Sequence, residues 1–285
     1  MKNTIFTIAT FLLFAAAAFG QETVTPKAAV ESPQQPGINV RVGQKFSVVT
    51  ETKNSSTSEV MGQVLEDVMS GNSTVIYEVV AVEPDSITLK ATISSLRFAV
   101  GTLGQDHTFD SSRNDNSGVL AELLEPEMKR VRTVTISRSG QITKEDEPWK
   151  TGGGNSQEDG LFKAGRIELF EPELTLPELK AGTVVPSAVN PQKKGSYTVG
   201  PLNGGTANVS YAGTGQSSNV LEQIGLEMKV QSTWTERSDL KIDAATRVVL
   251  SRETTKDVTL VVNAGGMDIP SKGKVTISQK TTRLN

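Results

Sequence analysis

Residues 73–112 read STVIYEVVAVEPDSITLKATISSLRFAVGTLGQDHTFDSS, two runs of β-branched and apolar residues separated by Glu83-Pro84-Asp85-Ser86. Proline presets φ for the second position of a type I turn, and an aspartate beside it can bond nearby backbone, so this tetrapeptide reverses the chain. On the far arm Ile87, Leu89, Ala91 and Ile93 alternate with Thr88, Lys90 and Thr92, the period of a strand with one dry face. A four-residue loop sets Val82 opposite Ile87, Val80 opposite Leu89 and Ile76 opposite Ile93. After Ser94-Ser95 the apolar parity slips to Leu96, Phe98 and Val100, which marks a bulge that bends the strand. The expected fold is therefore mainly β: two curved antiparallel sheets, half-barrel-like, with one or two short helices.

Working outward, Ile38, Val40 and Val42, then Gly43-Gln44, then Phe46 and Val48 predict strand, turn, strand. Ser55 to Glu66 suits either a short amphipathic helix or a strand with a bulge. Gly101 to Gly118 reads as a polar loop, Val119 to Leu124 as a short helix stopped by Pro126, and Met128 to Ser137 as a strand turned back at Ser139-Gly140. Lys144 to Gly160 combines a charge run with Gly152-Gly153-Gly154, which a sheet interior does not tolerate. The expected organisation is a β-rich half over 38–147, a glycine-rich linker over 148–160 and a second β-rich half over 161–285. In that half Leu161 to Phe170 suits a brief helix, and Pro172, Pro177 and Pro186 keep the chain extended. Ala207, Val209 and Tyr211, then Met228, Val230 and Trp234, alternate with polar residues as half-buried strands. Asp243-Ala244-Ala245-Thr246 and Gly265-Gly266 supply the remaining turns.

The N-terminus is a different object. Lys2, the apolar run Ile5 to Phe19 and Ala18-Phe19-Gly20 predict a signal peptide over 1–20, cleaved before Gln21. The alternative, an uncleaved anchor, has fewer than the roughly 20 apolar residues that span a bilayer. The expected product is exported, periplasmic or extracellular, and not membrane-spanning after cleavage. Pro26, Pro33 and Pro36 among polar residues make 21–37 a flexible leader. With no cysteine in 285 residues there is neither a lipoprotein attachment site nor a disulfide. A net charge of -3 argues against nucleic acid as a partner, because phosphate binding needs a basic surface.

Val42-Gly43-Gln44-Lys45-Phe46, Met61-Gly62-Gln63, Tyr77-Glu78-Val79 and Phe109-Asp110-Ser111-Ser112 resemble a family of exported bacterial proteins of uncharacterised function, with a signal peptide and two β-rich halves. Leu174-Thr175-Leu176-Pro177 and Leu240-Lys241-Ile242-Asp243 fit its second half. The family's Gly-Asp-x-Trp element is replaced here by Gly182-Thr183-Val184-Val185. The resemblance implies export and β-architecture, and it brings no activity.

Candidate chemistry is sparse. His107 is the one imidazole, and a Ser-His-Asp arrangement would need it with Asp106 or Asp110, yet no Gly-x-Ser-x-Gly elbow is present. A lone histidine in a polar loop is read instead as a solvated surface residue. Asp110, Ser112, Asn114 and Asn116 space oxygens for a calcium ion, but Asp115 and Ala121 stand where such a loop wants Gly and Glu; a hydrogen-bonded turn capping the helix at Val119 accounts for the same residues. Lys129, Arg130, Arg132 and Arg138 form a basic strand and turn, read as a charged edge. Glu145, Asp146, Glu147, Glu158 and Asp159 read as soluble linker, since paired-carboxylate catalysis needs fixed geometry. The alternation around Trp234 points to the core, while Trp149 beside the linker is a candidate for exposure. No catalytic, cofactor-binding or metal residue is assigned. The expected function is non-enzymatic binding of a lipid-like or apolar ligand in the cell envelope. The rivals are an interaction partner of an outer-membrane assembly and a hydrolase of envelope polymers.

Overall fold

The structure, a computed structural model, describes residues 37–60, 62–102, 105–146, 167–175, 178–188, 193–223, 226–264 and 266–284. The signal peptide, most of the leader, the glycine-rich linker, Glu147, Trp149, Glu158, Asp159 and Pro177 lie outside the described residues. Strands β1 (Lys45–Val60), β2 (Gln63–Val82), β3 (Ser86–Thr102) and β4 (Gln105–Asp110) are followed by helix α1 (Val119–Lys129), then β5 (Val131–Ser137) and β6 (Ile142–Asp146). A 3-10 turn at Pro172–Leu174 leads into β7 (Val184–Pro186), β8 (Lys193–Asn203), β9 (Thr206–Gln223), β10 (Leu226–Asp243), β11 (Val249–Ala264) and β12 (Met267–Arg283).

All ladders are antiparallel, and they form one sheet in the order β6-β5-β3-β2-β1-β12-β11-β10-β9-β8-β7, with β4 pairing β3. The two expected sheets are thus joined edge to edge. The seam runs between β1 and β12, from Phe46 opposite Arg283 to Ser58 opposite Ser271. The sheet is mainly β, open and curved. Its central strands hold 16 to 20 residues, about 50–65 Å at the rise of a strand. One face is buried along most of their length and the other is wet, as strict alternation dictates.

The hairpin of residues 73–112 forms, with Val82 opposite Ile87 as expected. Beyond it the expected register fails, because a bulge at Val80 sets Val79 opposite Leu89 and Val75 opposite Ile93. Val75, Tyr77 and Val79 therefore face the core, and Val80 is exposed. Neighbouring valines leave two parities open, and ladder continuity with β1 selects one. The second bulge falls at Ser94 as expected, and Leu96, Phe98 and Val100 are buried beyond it.

Other segments differ from expectation. Ile38 and Val40 are buried without a strand; their segment donates backbone bonds to Arg138 and Thr246 oxygens. Of the two options for Ser55 to Glu66 the strand holds, with a tight turn in place of the bulge: β1 and β2 pair directly, with Val60 opposite Gln63 around Gly62 at φ +78. The expected loop after Gly101 contains β4, paired back onto β3. Helix α1 runs through Pro126 to Lys129. A proline ring already holds a helical φ, so the helix loses one hydrogen bond and retains the packing of Ala121 and Leu124. In β5 it is Arg132 that points inward with Val134 and Ile136, while Val131 is exposed. Residues 167–170 form a turn where a helix was expected, and 161–166 lie outside the described residues.

The segment 167–175 lies against the buried face and ties the halves together. Ile167, Leu169, Phe170 and Leu174 are buried. Its backbone accepts from Val249 N at Leu169 O (2.9 Å) and from Gln279 Nε2 at Glu168 O (2.9 Å). Tyr77 donates to Glu168, Arg252 pairs with Glu171, and Tyr197 donates to Glu171 at 2.9 Å. Thr175 Oγ1 donates to Ser139 O at 3.0 Å. Burial, reinforced by the negative charge of Glu168, pushes the Tyr77 hydroxyl well above its ordinary pKa, which keeps it a donor.

Candidate functional site: a polar belt on the buried face

Two neighbouring cross-strand rows on the buried face depart from its apolar pattern. One runs Asn54, Val275, Lys256, Glu236, Gly213, Gly195 across β1, β12, β11, β10, β9 and β8. The next runs Ser56, Gly273, Val258, Trp234, Gly215, Lys193. Alternation alone places these side chains, because each strand keeps its inward parity from the apolar positions on either side.

The belt carries buried charge. Glu236 Oε2 lies 3.1 Å from Lys193 Nζ and 3.3 Å from Lys256 Nζ, with the side chains of Glu236 and Lys256 only 8% and 6% exposed. Lys256 Nζ also stands 5.8 Å from the Trp234 ring, and Lys193 Nζ 5.7 Å from that of Tyr211. Aromatic faces attract desolvated cations, so each ammonium is held by a carboxylate and a ring together. Burial, then the charge of Glu236, pushes the Tyr211 hydroxyl up to about 12.

Glycines give the two aromatic side chains their room. The Trp234 indole lies on Gly215, where an added Cβ would sit 2.1 Å from a ring carbon, and Tyr211 leans over Gly195 and Gly213. Gly215→Ala is expected to expel the indole and cost about 1–3 kcal/mol as overpacking. Urea denaturation gives the loss, and a red-shifted Trp234 emission in a Trp149→Phe background shows the displacement.

The buried polar atoms of this face without a hydrogen-bond partner among the described residues include Asn54 Oδ1, Trp234 Nε1 and Ser271 Oγ. Their residues are 5%, 4% and 2% exposed. Such atoms each cost about 1–3 kcal/mol when left unpaired, so a group that satisfies them binds with advantage. Beyond Trp234, towards the hairpin ends, the face turns apolar again with Met228, Val230, Leu260, Val262 and Ile269.

The residues singled out from sequence do not assemble. His107 and Asp106 are exposed on β4, His107 opposite Val100. Asp110 instead organises a turn: its Oδ1 accepts from Ser112 N (2.9 Å) and Oγ (2.6 Å), and these bonds hold its carboxyl below the usual carboxylate range. Asn116 Nδ2 donates to Asp110 O at 2.7 Å. This turn does not cap α1, whose N-cap is Gly118 without a side-chain bond. Among the described residues no three His, Cys, Asp or Glu side chains converge as a metal site. The expected basic edge is dispersed. Arg132 is fully buried and paired with Glu145, and Arg138 donates to Glu83 O (2.8 Å), Ile38 O (2.9 Å) and Pro84 O (3.3 Å), bracing the central turn. Lys129 and Arg130 sit at the end of α1. Glu145, expected in a soluble linker, is thus an inner partner, while Asp146 pairs Lys144 at an exposed strand end. Trp234 is buried, as its alternation indicated.

An open cleft of about 320 Å³ lies over β1 to β4. It is lined by the outward rows Glu51, Asn72, Arg97, Asp110 and Lys53, Ser70, Ala99, Thr108, with Arg113 at its edge. Arg97 and Asp110 pair across it at 3.0 Å, with Arg97 71% exposed. Its charges are mixed and solvated.

Lys193, Glu236 and Lys256 were missed from sequence. The signal was present, since Glu236 shares parity with Trp234 and Leu240, and Lys256 with Val258 and Leu260.

No protein-family model and no curated protein matches the chain. Among solved structures it is similar to lipovitellin, from a study of lipid–protein interactions, with a TM-score of 0.45 and 10% identity over 85% of this chain and 26% of that one, so the chain spans about a quarter of that protein's length. It is similar to an outer membrane channel from Pseudomonas putida F1, with a TM-score of 0.25 and 8% identity over 88% of this chain and 100% of that one. It is also similar to an outer membrane lipoprotein-sorting protein domain from Vibrio parahaemolyticus, with a TM-score of 0.13 and 9% identity over 83% and 86% of the chains. These likenesses are of β-rich outline and carry no argument about the site. Among the described residues no helix is long and apolar enough to cross a membrane.

Proposed function

We propose that the protein is an exported, non-enzymatic component of the cell envelope that binds a lipid-like ligand against the buried face of its curved sheet. The observation that carries this reading is the make-up of that face. It is apolar at the hairpin ends, apolar where 167–175 covers it, and belted between by buried polar atoms without partners. An amphiphile, with one polar end and a long apolar body, matches such a division; a fully apolar molecule leaves the belt unsatisfied. Export rests on the apolar run of residues 5–19 behind Lys2. A non-enzymatic role is favoured by the scattered placement of His107, Asp110 and Glu145, which share no cleft where a nucleophile and a base meet.

Native mass spectrometry with organic extraction, applied to protein purified from an envelope fraction, tests the reading. A co-purifying amphiphile released by solvent is the expected result. A single ligand-free mass across several detergents overturns it and moves the weight to a protein partner.

A further inference from the structure

We infer that the edge of β9 beyond Gly215 pairs antiparallel with the same edge of a second copy of the chain, joining two sheets across a two-fold axis at Val220. The inference is independent of the lipid-like reading and concerns a different surface.

Strand β8 covers β9 only from Thr206 to Gly215, whereas β9 pairs β10 as far as Gln223. Val199 of β8 donates to Thr183 O (2.9 Å) and accepts from Gly182 N (2.7 Å), so its backbone groups point away from β9. Alternation turns Thr198, Ser196 and Lys194 towards β9, where they meet Ser210, Ala212 and Thr214. The β9–β10 register is unbroken, so Gln216, Ser218, Val220 and Glu222 direct their N–H and C=O groups to that same side, where no described strand meets them. The other edges among the described residues are guarded. β7 is three residues long and ends in Pro186, and β8 beyond it holds Pro201. β6 carries Lys144, Glu145 and Asp146 in five residues, and β4 carries Asp106, His107 and Asp110 in six. Short length, proline and charge keep edges from pairing, and residues 216–221 have no charge, proline or bulge.

An antiparallel edge complements itself, because a two-fold axis normal to the sheet sets each free N–H against a free C=O of the copy. Residues opposite one another share a face, so the axis passes through a residue and not between two. An axis at Val220 sets Val220 against Val220 and Ser218 against Glu222, each pair exchanging both backbone bonds. The copy's β9 then ends opposite Ser217, clear of Lys193, which already pairs with Gly215. An axis at Asn219 would set Gln223 of the copy in the place Lys193 holds. Val220 is 60% exposed, and the pairing gives it an apolar neighbour with no like charges opposed. A foreign strand would find only Gln, Ser, Val and Glu side chains on this face, while a second copy brings valine to valine.

Sedimentation velocity of the purified protein from about 1 to about 100 μM tests the pairing, the range in which a small interface fills. A shift from monomer to dimer across that range is expected. Val220→Pro removes a donor that β10 does not use, so it is expected to keep the melting transition and abolish the dimer. Val220→Lys sets two ammonium groups opposite one another and is expected to raise the dissociation constant about tenfold or more, and it carries the test if the proline variant loses its cooperative melt. The chain has no cysteine, so Val220→Cys supplies a sole thiol. Its Cα lies about 5.5 Å from that of the copy in a hydrogen-bonded pair, within disulfide reach, and mild oxidation is expected to cross-link it. Val68→Cys, at an exposed valine inside the sheet, is expected to stay monomeric under the same oxidation. Monomer at every concentration overturns the second copy as occupant of the edge. A dimer that survives both Val220→Pro and Val220→Lys, or that Val220→Cys cross-links no faster than Val68→Cys, overturns the placement at Val220.

Discussion

Arg132→Met is expected to destabilise the protein by about 3–5 kcal/mol, the range for removing one partner from a buried ion pair. Arg132 is 0% exposed, and its Nε donates to Glu145, whose side chain is 14% exposed. It also lies close enough to Tyr77 for its charge to oppose the rise in that hydroxyl's pKa, while Glu168 promotes it. Removing the guanidinium therefore leaves two carboxylates, Glu145 and Glu168, in a neighbourhood where apolar side chains replace water. Methionine fills much the same volume, so the loss reports charge more than packing. In urea the midpoint falls with the slope unchanged. The double variant Arg132→Met, Glu145→Leu is expected to recover part of the loss, since one of the two carboxylates is removed and Glu168 remains. A single-variant cost below about 1 kcal/mol would show that the pair is solvated and behaves as a surface bridge.

Arg132 also shows where sequence reasoning stops. Its strand alternates Val131, Thr133 and Thr135 with Arg132, Val134 and Ile136, and hydrophobicity at the first position favours the wrong parity. A partner across the ladder, Glu145 on β6, helps make an inward arginine tolerable, and no local pattern announces it. The same limit applies at Val79-Val80, where two adjacent valines leave the register free and pairing with β1 decides. The bulge at Ser94 was legible because the apolar residues themselves change parity there. The turn at Asp243 was legible because an aspartate bonding Ala245 N and Thr246 N is a local event. Long-range pairing was not legible. The β1–β12 seam unites segments more than 200 residues apart, so each half alone reads as a separate sheet. Helix α1 was placed at its start and misjudged at its end, because Pro126 costs one backbone bond while tertiary packing of Leu124 holds the helix through it. For the belt, the lysines and the glutamate carry charge at inward positions, and a polarity-based reading discards such positions first.

Phe170→Ala is expected to cost about 3–5 kcal/mol, the range for truncating a buried phenylalanine. Phe170 is 2% exposed and belongs to the core built on β1, β2 and β3. Its consequence reaches further than one cavity, because the segment it anchors also carries Glu168 to Tyr77, Glu171 to Arg252 and Tyr197, and a backbone bond from Val249. If the ring is lost, the segment loosens, and Arg252, with a side chain 7% exposed, loses the carboxylate that neutralises it. The two halves share the β1–β12 ladder in either case, so the sheet persists while its covered face opens. The expected signature is a large loss of near-ultraviolet dichroism and new cleavage by protease within 167–175, with far-ultraviolet dichroism retained. Val80→Ala, at an exposed position of the β2–β3 hairpin, serves as the control and is expected within about 0.5 kcal/mol of wild type. Cleavage of the Phe170 variant no faster than that of the control would mean that the ion pairs alone hold the segment. In that event the destabilisation should appear in Glu171→Gln, which keeps the packing and removes the charge opposite Arg252.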